Sequence, residues 1–192
     1  MTISSSRANL KHNLDEKAAI RILGIDPGLQ ITGYAVLEAG SRGPRVCEAG
    51  VVRSGHGPST PEIAQRVQAL YDGIEEVIHQ LRPAVVAMER LYSHYAHPRT
   101  AILMAHARGV LLLAAARHGL SVAGYHATQI KKTITGSGRA RKDQVQRTVQ
   151  RELGLAALPE PPDVADALAV ALCHLHAQKG RAVHPPRSSQ LP

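Results

Sequence analysis

The chain of 192 residues contains no phenylalanine and no tryptophan, and only five tyrosines. Its core must therefore be built from Leu, Ile, Val and Ala, and a tyrosine outside that core is a candidate for a surface role. Cysteine is nearly absent too. Cys47 and Cys173 cannot make a disulfide framework or a zinc site unaided, and are expected as reduced, buried thiols. There is no long hydrophobic run. The most apolar stretch, residues 101–116, is broken by His106 and Arg108 and falls short of the roughly 20 residues of a membrane span. The first 19 residues hold no apolar block of the kind a secretory signal carries. These absences give the expectation of a cytoplasmic protein without a membrane segment. The rest of the composition, 44% hydrophobic and 20% charged, suits one domain with its own core.

The placement of charge says more than the net +8. Residues 127–151 hold seven Lys/Arg against one Asp, whereas residues 152–178 carry −4. A basic strip followed directly by an acidic cluster suggests a polyanion held beside a metal or acid site.

Residues 1–20 are polar and patternless and read as a disordered arm. Residues 179–192, with three prolines, read as a disordered tail, leaving 21–178 as the domain. Within it, the apolar runs 21–26, 31–37 and 45–52 stand at hairpin spacing and predict an antiparallel meander. Thr60-Pro61 reads as an N-cap followed by proline at the first helical position. From Ile63 to Leu81 apolar residues recur at helical spacing. Residues 84–88 form a continuous apolar run, expected as a strand covered on both faces and ending at Glu89. Residues 91–99 read as a loop and Thr100–His118 as a long helix stopped at Gly119. A fifth strand is expected at 121–125 and a short helix at 128–134. A glycine loop at 136–138 and helices at 142–153 and 163–178 follow. The expected order is βββαβαβαα, an α/β fold with a mixed five-stranded sheet flanked by helices.

Four carboxylates stand out by position. Asp26 ends the first strand and Glu89 the fourth, which are commonly neighbours in a mixed sheet. Asp163 and Asp166 lie three apart in the first turn of the last helix and share a face. Convergent carboxylates repel unless a hard cation neutralises them, and an all-oxygen donor set suits Mg²⁺ or Mn²⁺. Two such ions about 4 Å apart activate a water and stabilise the leaving oxygen in phosphodiester hydrolysis. Plainer roles stay open at this point. Asp163 and Asp166 also complement a helix dipole, and Asp26 before Pro-Gly is also an ordinary turn residue. Glu89 is harder to dismiss, because a charge ending a buried strand needs a partner.

The basic strip comprises Lys131, Lys132, Arg139, Arg141, Lys142, Arg147 and Arg151. It is either a solvated helix face or a phosphate-binding surface. The embedded Gly136-Ser137-Gly138 favours the latter, since glycine lets backbone N–H groups approach phosphates. Tyr92 and Tyr95, two of the five tyrosines, share the loop after Glu89. They either pack that loop or stack on an unpaired base. His174 and His176, two apart on a helix, do not face each other and make a poor metal pair.

These residues resemble a known family. The stretch from Ile22 to Val36, with Asp26-Pro27-Gly28 and Gly33, looks like the first-strand motif of the RuvC-type Holliday junction resolvases. Glu89-Arg90-Leu91-Tyr92 looks like their second acidic motif, Ile130 to Val145 like their basic segment, and Asp163 to Ala169 like their last acidic motif. The match runs in order from about Arg21 to Gln178, and the arm before Ile22 departs from the family. The resemblance implies a ribonuclease-H-like fold and a homodimeric, metal-dependent endonuclease that nicks opposing strands of a four-way DNA junction. It implies Asp26, Glu89, Asp163 and Asp166 as metal-holding catalytic residues. Lys131, Lys132, Arg139, Arg141 and Lys142 would be DNA-binding, with Tyr92 stacking at the opened crossover. The RuvA–RuvB branch-migration complex is the implied partner. A twofold dimer also matches the pseudo-twofold symmetry of a four-way junction, and the apolar helix 100–118 is the candidate dimer face.

Three other readings share parts of this pattern. An actin-like or sugar-kinase-type ATPase shares the turn at Asp26 but needs a second phosphate loop, which the sequence does not contain. A YqgF-like RNA-processing nuclease resembles the first strand in a shorter chain. A non-catalytic junction-binding module has no need of four carboxylates.

Overall fold

The computed structural model describes residues 20–40, 43–55, 61–91 and 98–183. Residues 1–19 of the expected arm, residues 184–192 of the expected tail, and Tyr92 and Tyr95 lie outside the described residues. The strands are β1 (Arg21–Asp26), β2 (Ile31–Gly40), β3 (Gly43–Arg53), β4 (Val85–Glu89) and β5 (Ser121–Tyr125). The helices are α1 (Ile63–Leu81), α2 (Pro98–Arg117), α3 (Ala127–Thr135), α4 (Lys142–Glu152) and α5 (Pro162–Val183).

All five strands stand where the apolar runs place them. Three helices follow β5, one more than the order βββαβαβαα counts. Some helix ends move. Thr60 lies outside the described residues, and α1 begins at Ile63, behind an extended Glu62 that has no side-chain cap. Pro61 therefore precedes the helix instead of opening it. At its other end Arg82 turns left-handed, with φ 46°, because the following Pro83 disfavours another helical residue. Gly119, with φ 67°, follows α2 as expected. Helix α5 continues to Val183, five residues past the expected end at Gln178.

The sheet order is β3-β2-β1-β4-β5, antiparallel among the first three strands and parallel from β1 to β4 to β5. Strand alternation then decides which helices each side chain meets. Ile22, Val85 and Ala87 point to the face covered by α3, α4 and α5, in a core with Ile130, Val145, Val149, Leu168 and Leu172. Leu23, Ile25, Val86 and Met88 point to the opposite face, against Ile74, Val77 and Ile78 of α1 and Leu111, Ala114 and Ala115 of α2.

Two glycines allow α5 to lie directly on the sheet. A Cβ on Gly24 would stand 2.3 Å from the Ala167 carbonyl oxygen, and one on Gly33 would stand 2.1 Å from that of Asp163. Helix α2 is apolar on two sides. Ala107, Leu111, Ala114 and Ala115 are sealed inside, while Ile102 and Leu113 are 58% and 52% exposed. The sequence-based expectation that no stretch reaches membrane-spanning length needs correction. Arg99–Arg117, 19 residues, is long and apolar enough by composition, because its aliphatic residues outweigh His106 and Arg108 in the average. Its buried face is nevertheless packed on α1 and the sheet.

Candidate active site

Asp26 and Glu89 follow from the alternation. Asp26 continues the Ile22, Gly24 row and Glu89 the Val85, Ala87 row, so both face α5 from the ends of adjacent parallel strands. The turn after Asp26 is fixed by the buried Thr32, whose hydroxyl donates to the Gly28 carbonyl at 2.7 Å. Asp166, in the first turns of α5, is brought over the strand ends by the close contact at Gly24 and Gly33.

Asp26, Glu89 and Asp166 line one cavity of about 310 Å³, together with Lys131 and Lys142 and the apolar Ile130, Val145 and Ala169. By their positions in the sequence, all four carboxylates are expected at one point. Asp163 instead lines the neighbouring cavity, because its main chain presses on Gly33 at the edge of the cluster. Its charge still reaches Asp26.

Burial is the largest cause that pushes the Asp26 carboxyl up, to about 7, followed by the charges of Asp166, Glu89 and Asp163; Lys142 opposes them. Glu89 is raised for the same reasons, burial first and then Asp166, with Lys131 opposing. The Lys142 ammonium lies 2.8 Å from Asp166 Oδ2, and that hydrogen bond raises its own pKa. Among the described residues no three His, Cys, Asp or Glu side chains enclose an ion as they stand. Lys142 already sits on one donor. The donor set, carboxylate oxygens that repel one another around an internal ammonium, fits a hard divalent cation and offers nothing to a soft one.

The rest of the basic strip divides. Lys132 and Arg139 are exposed on α3 and on the loop that follows it. Arg141 holds Asp143 through two hydrogen bonds, Nε to Oδ1 at 3.1 Å and Nη2 to Oδ2 at 2.9 Å. His174 is buried against the Tyr125 hydroxyl at 2.7 Å, and His176 meets Glu152 at 2.6 Å, so the two are engaged separately. Tyr92 lies outside the described residues.

One residue of the site escaped the sequence analysis. Arg108, half-buried on α2, donates Nη1 to the Glu89 carbonyl oxygen at 2.6 Å. It holds the end of β4 and with it the direction of the Glu89 side chain. The signal was present as a charge inside an apolar helix.

Residues 22–174 match the family described as crossover junction endodeoxyribonuclease RuvC. Among curated proteins, the crossover junction endodeoxyribonuclease RuvC of Rhodopirellula baltica is 51% identical over 154 residues, covering 79% of this chain and 84% of that one. The protein of the same name from Moorella thermoacetica is 46% identical over 153 residues, covering 80% and 89%. Among solved structures, Thermus thermophilus RuvC in complex with Holliday junction substrate superposes with a TM-score of 0.76 at 34% identity, covering 84% of this chain and 96% of that one. The ribonuclease-H-like arrangement expected from the motifs is thus the fold of these relatives, and the chain belongs to the crossover junction endodeoxyribonuclease RuvC family.

Proposed function

We infer that the chain hydrolyses DNA phosphodiesters at four-way junctions, acting in recombination and repair as a homodimer that nicks opposing strands. One observation carries the reading: Asp26, Glu89 and Asp166 share a cavity in which burial and mutual repulsion push Asp26 up to about 7. Such a cluster costs the fold stability unless a proton or a cation relieves it, and a bound divalent cation relieves all of it at once. Asp26, Glu89 and Asp166, with Asp163 beside them, would hold Mg²⁺ or Mn²⁺, two ions per site. Bound there, divalent ions supply an activated water and charge stabilisation for the leaving oxygen.

The chain's own residues do the rest. Asp26 must surrender its proton to act as a donor, and the nearby Lys142 eases that loss. Lys131 and Lys142 keep positive charge on the cavity wall, where a scissile phosphate enters beside the carboxylates. Lys132, Arg139 and Arg141 extend this charge outward for phosphates further along the strand. Tyr92, two residues beyond Arg90, is the proposed stacking side chain. The exposed Ile102 and Leu113 of α2 support a dimer through that helix. RuvA–RuvB is the proposed partner, and the cytoplasm the proposed location.

The test compares cleavage of a synthetic four-way junction and a linear duplex of the same sequence, with Mg²⁺, with Mn²⁺ and with chelator. Paired nicks on the junction alone, dependent on the ion, are expected. Equal cutting of both substrates, or cutting in chelator, defeats the reading.

A further inference from the structure

Arg66 is the only lysine or arginine among the described residues that the fold buries, at 9% exposure. It lies four residues before Leu70 and eight before Ile74, on the face of α1 turned to the core. A guanidinium in that position needs an anion or a full set of acceptors. It has neither among the described residues. Nε donates to Ser54 Oγ at 3.4 Å, a long contact, while the Ser54 hydroxyl itself donates to the Leu29 carbonyl. Among the described residues Nη2 has no acceptor and Arg66 makes no ion pair.

The same side chain lines the second cavity, about 430 Å³, whose walls include Gly28, Gln30, Leu103, Met104 and Asp163. Asp163 and the turn after Asp26 separate this cavity from the catalytic one. Asp163 on one wall confines an anion to the Arg66 end, and Leu103 and Met104 offer apolar surface to a sugar. We propose that this cavity is a second phosphate subsite, in which Arg66 takes a backbone phosphate of the cut strand next to the scissile one. The proposal rests on the junction-nuclease reading and adds to it a subsite on the far side of Asp163 from the basic strip.

The test measures binding of a synthetic four-way junction to the full chain without divalent ions, across a salt series, for wild type, Arg66→Gln and Arg66→Lys. Each neutralised phosphate contributes about −0.9 to the slope of log affinity against log salt. Arg66→Gln should flatten the slope by about that amount and bind about tenfold more weakly at low salt. Arg66→Lys should keep the slope, and the melting temperature of Arg66→Gln should not fall, since the change removes an unpaired buried charge. An unchanged slope with a lowered melting temperature would make Arg66 a packing residue and overturn the subsite. A wild type that binds duplex as well as junction is a different failure, that of the functional reading beneath it.

Discussion

Asp26 is where physical chemistry can be read most directly from one residue. Its folded carboxyl titrates at about 7, above the ordinary 3.8. Between those values the unfolded chain has lost the proton and the folded chain holds it, so without divalent ions stability falls as pH rises through that window. The penalty is absent below it and complete above it. Asp26→Asn removes the titration. In chelator it should melt above wild type at pH 8 and converge with it near pH 4, and a constant difference across that range would contradict the assignment. The same variant should lose cleavage by about three orders of magnitude while still binding junctions, because several kcal/mol of charge stabilisation go with the ion. At limiting divalent concentration the wild-type rate should climb through about pH 7, and saturating ion should move the midpoint down by competing with the proton. Lys142→Met tests the opposing charge. Removing an ammonium that lowers the Asp26 pKa should move that midpoint up, and a rate–pH profile with an unmoved midpoint would place Lys142 outside the cluster's electrostatics.

At the scale of elements, the site depends on how closely α5 approaches the sheet. Gly33→Ala places a methyl against the Asp163 carbonyl, so α5 must lift at its N-terminal end, where Asp163 and Asp166 sit. Overpacking of this kind costs about 1–3 kcal/mol. Activity should fall further than stability does, because displacement alone misplaces the carboxylates. Chemical denaturation and single-turnover cleavage measured on the same preparation separate the two, and a loss of activity no larger than the loss of folded protein would argue against the positioning role. Helix α2 joins both sides of the molecule: Arg108 holds the Glu89 carbonyl from within, while Ile102 and Leu113 face outward.

For the whole molecule, that outward face bears on symmetry. A junction presents two opposed strands related by a twofold axis, and a twofold dimer matches them. The double variant Ile102→Asp/Leu113→Asp should run as a monomer in sedimentation and lose paired nicking. Its far-UV spectrum should be unchanged, since neither side chain contributes to the core. A variant that sediments as wild type would contradict the proposed dimer through this helix.

Much of this was legible in the linear sequence. The strands announce themselves because apolar runs bounded by Pro-Gly, Arg-Pro and glycine have few other ways to bury themselves. Asp26, Glu89, Asp163 and Asp166 stand out because charge at the end of a buried strand, or in a helix's first turn, interrupts a clear pattern. The termini of α1 and α5 were less legible, since a helix end follows from local caps and from what it packs against. Only the tertiary structure decided that Asp163 faces a different cavity from its three companions, that Lys142 rests on Asp166, and that Arg108 and Arg66 are partly or wholly buried. Each of these depends on contacts between residues distant in the chain. Periodicity tells which way a side chain leaves its own element, but not what stands opposite it.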